Sequence, residues 1–183
     1  MELRVLVGDI ADALKTIDSS RVPFKQFRPG VGPYGEPNLV KLLAATLNKT
    51  ARYRDLVRVM RTPDLLIEGL WAIEFKIARP FGDNGKNAEN WSVNLLHPYP
   101  GNASLLGDCL KLRAASRPER KAVIAIGYEH EPPQVSLEPL WDAFEAIAAA
   151  VLKIELGPRT VAERDGLIHP VHQRLMLVGW EVI

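Results

Sequence analysis

The 183-residue chain predicts an α/β fold in one domain. Three observations predict it. Apolar residues recur at helical spacing near the start, after Glu36, after Asn102 and from about Leu137 to Leu152. Between these stretches, Thr62 to Lys76 reads as two short apolar strands joined by a tight turn at Glu68-Gly69. Finally, Ala122-Val123-Ile124-Ala125-Ile126-Gly127 is a continuous apolar run of the kind a central strand shows when both faces are buried.

Composition narrows the class. Apolar and charged fractions are those of an ordinary globular protein, and 183 residues can bury a sizeable core. A net charge of +1 creates no global field for nucleic acid, so any basic patch must be local. The single cysteine, Cys109, excludes an intramolecular disulfide framework and suits a reducing compartment. Met1-Glu2-Leu3-Arg4 lacks the pattern of a secretory signal, and no apolar run reaches the ~20 residues a membrane span needs. The expectation is a cytoplasmic protein with no membrane partner.

Taken in order, Leu3, Leu6, Ile10, Leu14 and Ile17 mark an amphipathic helix to about Asp18, with a strand at Leu3–Val7 as the alternative because Gly8 interrupts the pattern. Ser19 to Gly35 is a Pro- and Gly-rich loop. In it Lys25 and Arg28 interleave with Phe24 and Phe27, which suits either phosphate and base contact or a wrap around the core. Glu36-Pro37-Asn38 opens a second helix, with Pro37 at its first turn and an end near Asn48. Tyr53 to Arg61 reads either as more helix or as a strand opening the sheet. Its arginines, Arg58 and Arg61 among them, make it the most basic segment.

The hairpin follows. Asp64, Glu74 and Lys76 are charges set into its apolar run, and burying charge is costly unless it is paired or binds a metal. Ala72, Glu74 and Lys76 share one face of the second strand, and Trp71, Ile73 and Phe75 share the other. A two-residue turn at Glu68-Gly69 would pair Asp64 with Ile73 and separate the carboxylates. A three-residue loop, either Glu68–Leu70 or Ile67–Gly69, would bring Asp64, Glu74 and Lys76 together. The site therefore requires an odd-length loop, for which Gly69 suits the left-handed position.

Beyond Lys76, a polar loop from Arg79 to Asn90 leaves the hairpin where a substrate-gripping segment would hang. Arg79 and Lys86 can meet phosphate, and Asp83 is a turn former or a spare ligand. The chain continues irregularly to Gly101. Asn102 is the expected N-cap of a helix carrying Leu105, Leu106, Cys109, Leu110 and Leu112. On it Lys111 either faces phosphate or pairs with Asp108 within the helix. After the buried run at 122–127 and an acidic, Pro-rich loop come the helix at 137–152, a strand at Thr160–Arg164 and a final strand from Arg174 to Ile183. That last strand must pair or be covered, on the sheet or on another subunit. His169 and His172, three apart around Pro170, are a weak zinc signal.

Two carboxylates and a lysine at one place suit metal-assisted phosphodiester hydrolysis. Mg²⁺ binds hard oxygens and uses one or two carboxylates plus substrate phosphate. Pro63-Asp64, nine intervening residues and Glu74-Phe75-Lys76 resemble the PD-(D/E)xK motif of restriction endonucleases, Holliday-junction resolvases and related nucleases. The resemblance implies a restriction-endonuclease-like α-β-β-β-α-β core over about residues 36–127, its central mixed sheet flanked by helices, with a helix and strands added at 135–183. It favours the strand reading of 53–61. It also implies a Mg²⁺-dependent (or Mn²⁺-dependent) endonuclease acting on DNA, often as a homodimer, with restriction, repair and junction resolution all open. Asp64 and Glu74 would hold the metal, the Phe75 carbonyl and Glu36 would assist, and Lys76 would position or activate the attacking water. Lys25, Arg28, Arg58, Arg61, Arg79, Lys86 and Lys111 are the candidate DNA contacts. The rival expectation is a catalytically inactive protein of the same fold that binds nucleic acid or serves in an assembly.

Overall fold

The structure is a computed structural model that describes residues 1–99 and 103–183. Among these residues the chain forms α1 (Leu3–Ser19), α2 (Glu36–Leu47), β1 (Val57–Val59), β2 (Leu65–Ile67) and β3 (Trp71–Ala78). It continues through α3 (Val93–Leu96), α4 (Leu105–Ala114), β4 (Arg120–Glu129), α5 (Glu138–Ala150), β5 (Thr160–Arg164) and β6 (Arg174–Glu181). The six strands form one mixed, open sheet in the order β1-β2-β3-β4-β6-β5. Only β3 and β4 run parallel, and α4 lies in the connection between them, as a parallel pair requires a long crossover. The stretch α2, β1, β2, β3, α4, β4 follows the order α-β-β-β-α-β, interrupted by the four-residue α3.

Both faces of the sheet are buried. Trp71, Ile73, Phe75 and Ile77 of β3 join Ile124 and Ile126 of β4 against Leu6, Ile10 and Leu14 of α1 and Leu39 and Leu43 of α2. On the other face, Ala72, Val123, Ala125 and Val178 meet Leu105, Cys109 and Leu112 of α4 and Trp141 and Phe144 of α5. Each large apolar side chain buried this way contributes about 1.5–3 kcal/mol, so each face forms a substantial core. The second face of β3, read from the sequence as the one carrying the chemistry, is thus also a packed face; Glu74 and Lys76 sit in it.

Several expectations are sharpened. The first helix forms in full through Gly8, and no strand occupies Leu3–Val7. Only Val57–Val59 of the basic segment 53–61 becomes strand, pairing antiparallel with β2. The N-cap of α4 is Ser104, whose Oγ accepts from the Gly107 N–H at 3.0 Å; Asn102 lies outside the described residues. The last strand is not an edge. It runs between β4 and β5, which is how its apolar run is covered. No helix among the described residues is long and apolar enough to cross a membrane.

Candidate functional site

The hairpin decides the site. β2 and β3 pair Leu65 with Ile73, Leu66 with Ala72 and Ile67 with Trp71, leaving Glu68, Gly69 and Leu70 as a three-residue loop. Gly69 takes φ +70°, the left-handed conformation that glycine adopts without steric cost. Continuing the register one pair outward sets Asp64 opposite Glu74. The Phe75 N–H donates to Asp64 Oδ2 at 2.9 Å, which fixes that carboxylate beside the strand.

Asp64 and Glu74 are crowded together. Burial pushes the Glu74 carboxyl up to about 8, and a hydrogen bond shared with Asp64 and the negative charges of Asp64 and Asp108 add to it. Glu74 is only 4% exposed, so little water screens the pair.

Lys76, on the same face as Glu74, points into a ring of oxygens. Its Nζ donates to the Phe75 carbonyl at 2.8 Å and to Glu36 Oε1 at 3.2 Å. It also forms an ion pair with Asp108 Oδ2 at 2.9 Å. Burial alone would drive this ammonium towards its neutral form. Glu36 and Asp108 outweigh that, and the lysine titrates above its ordinary range. Glu36, at the first turn of α2, is itself shifted up by burial in spite of Lys76.

The carboxylate that sequence reasoning set aside is Asp108. It pairs with Lys111 within the helix at 2.6 Å, as the spacing suggests, but its second oxygen faces Lys76 and the residue is 1% exposed. The one local signal was an acid in the first turn of a helix surrounded by core residues. Lys111, half-exposed, is held by that pair.

The basic residues are more scattered. Arg58 is exposed and pairs with Glu68 at 3.1 Å; Arg61, Arg28 and Lys86 are exposed. Lys25 is exposed with its Nζ 5.2 Å from the Phe24 ring centre, while Phe24 packs on the core and against Tyr34. The loop at 19–35 therefore wraps the core and still presents its cations. Arg79 is committed inward, donating to the Gly32 carbonyl at 2.7 Å.

The donor set suits a hard divalent cation in one respect: Asp64 and Glu74 bring carboxylate oxygens to one buried spot, where a cation could replace the proton Glu74 holds. Glu36 and the Phe75 carbonyl are both engaged by Lys76. Among the described residues, no group of three or more His, Cys, Asp or Glu side chains forms a metal-binding set. His169 and His172 in particular are tied elsewhere: His169 Nδ1 accepts from the backbone N–H groups of Val171 and His172, and His172 Nε2 meets Asp83 Oδ1 at 2.9 Å. No family model, curated protein or solved structure matches this chain.

Proposed function

We propose that this chain is a metal-dependent endonuclease of the PD-(D/E)xK kind that hydrolyses DNA phosphodiester bonds with Mg²⁺ or Mn²⁺. The observation that carries the reading is the convergence of Asp64, Glu74 and Lys76 on one face of an odd-looped hairpin. The α-β-β-β-α-β order of the surrounding elements supports it.

Asp64 and Glu74 are the residues that would hold the cation. Such an ion polarises the phosphoryl oxygen and lowers the pKa of a bound water. The rest falls to the chain. The Phe75 N–H keeps Asp64 turned towards Glu74. Glu36 and Asp108 keep Lys76 charged and aimed along the strand, so the lysine acts as a fixed positive donor: it orients the attacking water and balances the charge that builds on the phosphate. The water oxygen bonds to phosphorus and releases a proton to the surrounding solvent, the ester P–O bond breaks, and the leaving oxygen takes up a proton from solvent, so that the net change is one water added across the ester bond. Arg58, Arg61, Lys25, Arg28 and Lys86 are the exposed cations available to the DNA backbone. Two copies acting together would cut both strands.

Substituting Ala for Asp64, or for Lys76, is expected to lower cleavage of plasmid or branched DNA by two orders of magnitude or more, with circular dichroism unchanged. Wild-type cutting by either variant would end the assignment. A second reading has one observation behind it: the Lys76 ammonium already engages Glu36 and the Phe75 carbonyl, as it would in an inactive scaffold of this fold. Calorimetric titration with Mn²⁺ separates the two, because an inactive scaffold binds none at Asp64 and Glu74.

A further inference from the structure

A cavity of about 400 Å³ opens beside the site and shares a wall with it, Glu36, the carboxylate that also holds Lys76. Its other walls include Phe81 and Trp91, both half-buried, together with Arg79, Asp83 and the exposed Glu89. Several of these groups are held in place. Asp83 is fixed by the buried imidazole of His172 at 2.9 Å, and Arg79 by the Gly32 carbonyl at 2.7 Å. The Phe81 ring packs edge-on with His130, centres 4.7 Å apart. Set walls of this kind reduce the ordering cost of binding.

The lining selects against phosphate. The lining carries three carboxylates, Glu36, Asp83 and Glu89, and one guanidinium, Arg79, which lies 4.0 Å from Asp83. Glu36 is paired with Lys76, and the exposed Glu89 is left to favour a group rich in N–H donors over an anion. Two aromatic rings favour a flat, π-faced guest, and stacking on such rings contributes to binding whichever base is present. The volume falls in the range of small-molecule sites. We propose that this cavity receives one nucleobase bearing an exocyclic amino group, drawn out of the strand next to the phosphate held at Asp64, Glu74 and Lys76. This rests on the nuclease reading for the identity of the strand, but not for the binding itself. It makes the enzyme selective for strands in which a base is already unpaired, since unstacking a paired base costs a few kcal/mol.

Trp91 supplies the probe. Trp71, Trp141 and Trp180 are all at most 1% exposed, so a soluble quencher that stacks reports on Trp91. The 183-residue chain, treated with chelator, is titrated with adenosine, with ribose 5-phosphate and with thymidine, which lacks the amino group. Adenosine is expected to quench the tryptophan emission saturably; ribose 5-phosphate is expected to do nothing, and thymidine to bind at least several-fold more weakly. Glu89→Gln, at an exposed position that the fold does not depend on, removes a charged acceptor and should weaken adenosine about tenfold. No saturable quenching, equal response to all three compounds, or an unchanged affinity in Glu89→Gln would each overturn the proposal. Since no metal or cleavage enters the measurement, a loss of the nuclease reading shows separately, in the Asp64 and Lys76 variants. If adenosine binds but cleavage fails, the cavity stands as a nucleoside site and the hydrolase does not.

Discussion

His172 shows how a buried titratable residue couples this fold to pH. Burial pushes its imidazole down to about 4; the Asp83 contact pulls the other way, and His169 and Arg79 push it further down. In the unfolded chain the same imidazole titrates near 6.5. Between those values the unfolded state binds the extra proton and the folded state does not. The contribution of His172 is therefore intact above pH ~6.5 and is lost as pH falls towards 4. Glu74 works in the opposite sense, since its raised carboxyl costs stability as pH climbs from the ordinary carboxylate range to about 8. The informative quantity is thus the difference between two proteins. Urea midpoints at pH 7 and pH 5 should fall further for the wild type than for His172→Gln, by up to a few kcal/mol in unfolding free energy. Equal drops would mean that another group carries the acid sensitivity. At this same scale the sequence was an uneven guide. Asp64, Glu74 and Lys76 stood out because charges in an apolar run demand a reason, and the structure brings them together. Asp108 did not stand out, because Lys111 three residues on explains it locally; its contact with Lys76 depends on how α4 docks on β3, which no local pattern encodes.

At the scale of elements, the three-residue loop at Glu68–Leu70 sets the face of the hairpin on which Asp64, the residue before β2, lies. Gly69 holds its φ of +70° in open space, with nothing within 4 Å of where a Cβ would stand. Gly69→Ala therefore carries a backbone cost alone, about 1–2 kcal/mol, and Gly69→Asn should cost less because Asn tolerates the left-handed region. Thermal unfolding of the pair checks this. If alanine is as stable as glycine, the turn is not held in that conformation and the placement of Asp64 loses its support. The hairpin was legible because strand parity and turn length are arithmetic on the sequence. The short β1 was only half legible: Val57 and Val59 alternate as a strand does, yet three residues cannot outweigh a helical reading of the arginine-rich stretch around them. The one-turn α3 falls below any periodicity signal, and the α4 cap shows only in the geometry of Ser104.

At the scale of the whole molecule, the strands that follow residue 127 are not an appendage to a core ending there. β6 pairs with β4 over eight residues, from Ala122 opposite Glu181 to Glu129 opposite Arg174, and only then hands on to β5. The first helix packs on β5 and β6, so the beginning of the chain depends on its end. Arg120, at the start of β4, is held by the Glu181 carboxylate through two hydrogen bonds, at 2.7 and 2.5 Å, while its guanidinium lies 4.2 Å from the Trp71 ring centre. A fragment ending at residue 135 would leave the long inner edge of β4 unpaired. It would also uncover Leu6, Val7 and Ile10 of α1, along with the face that Trp141 and Phe144 close. Unpaired strand edges and exposed apolar faces of that size favour association over folding. The fragment is accordingly expected to lack a cooperative urea transition by circular dichroism, although Glu36, Asp64, Glu74, Lys76 and Asp108 are all present in it. A sigmoidal transition with native helix content would show that residues 1–135 fold alone and that β5 and β6 are an addition to a finished sheet. The physical reason to expect otherwise is that β3 holds Glu74 and Lys76 at a fixed height only while β4 is pinned on both sides, and β6 is the strand that pins it.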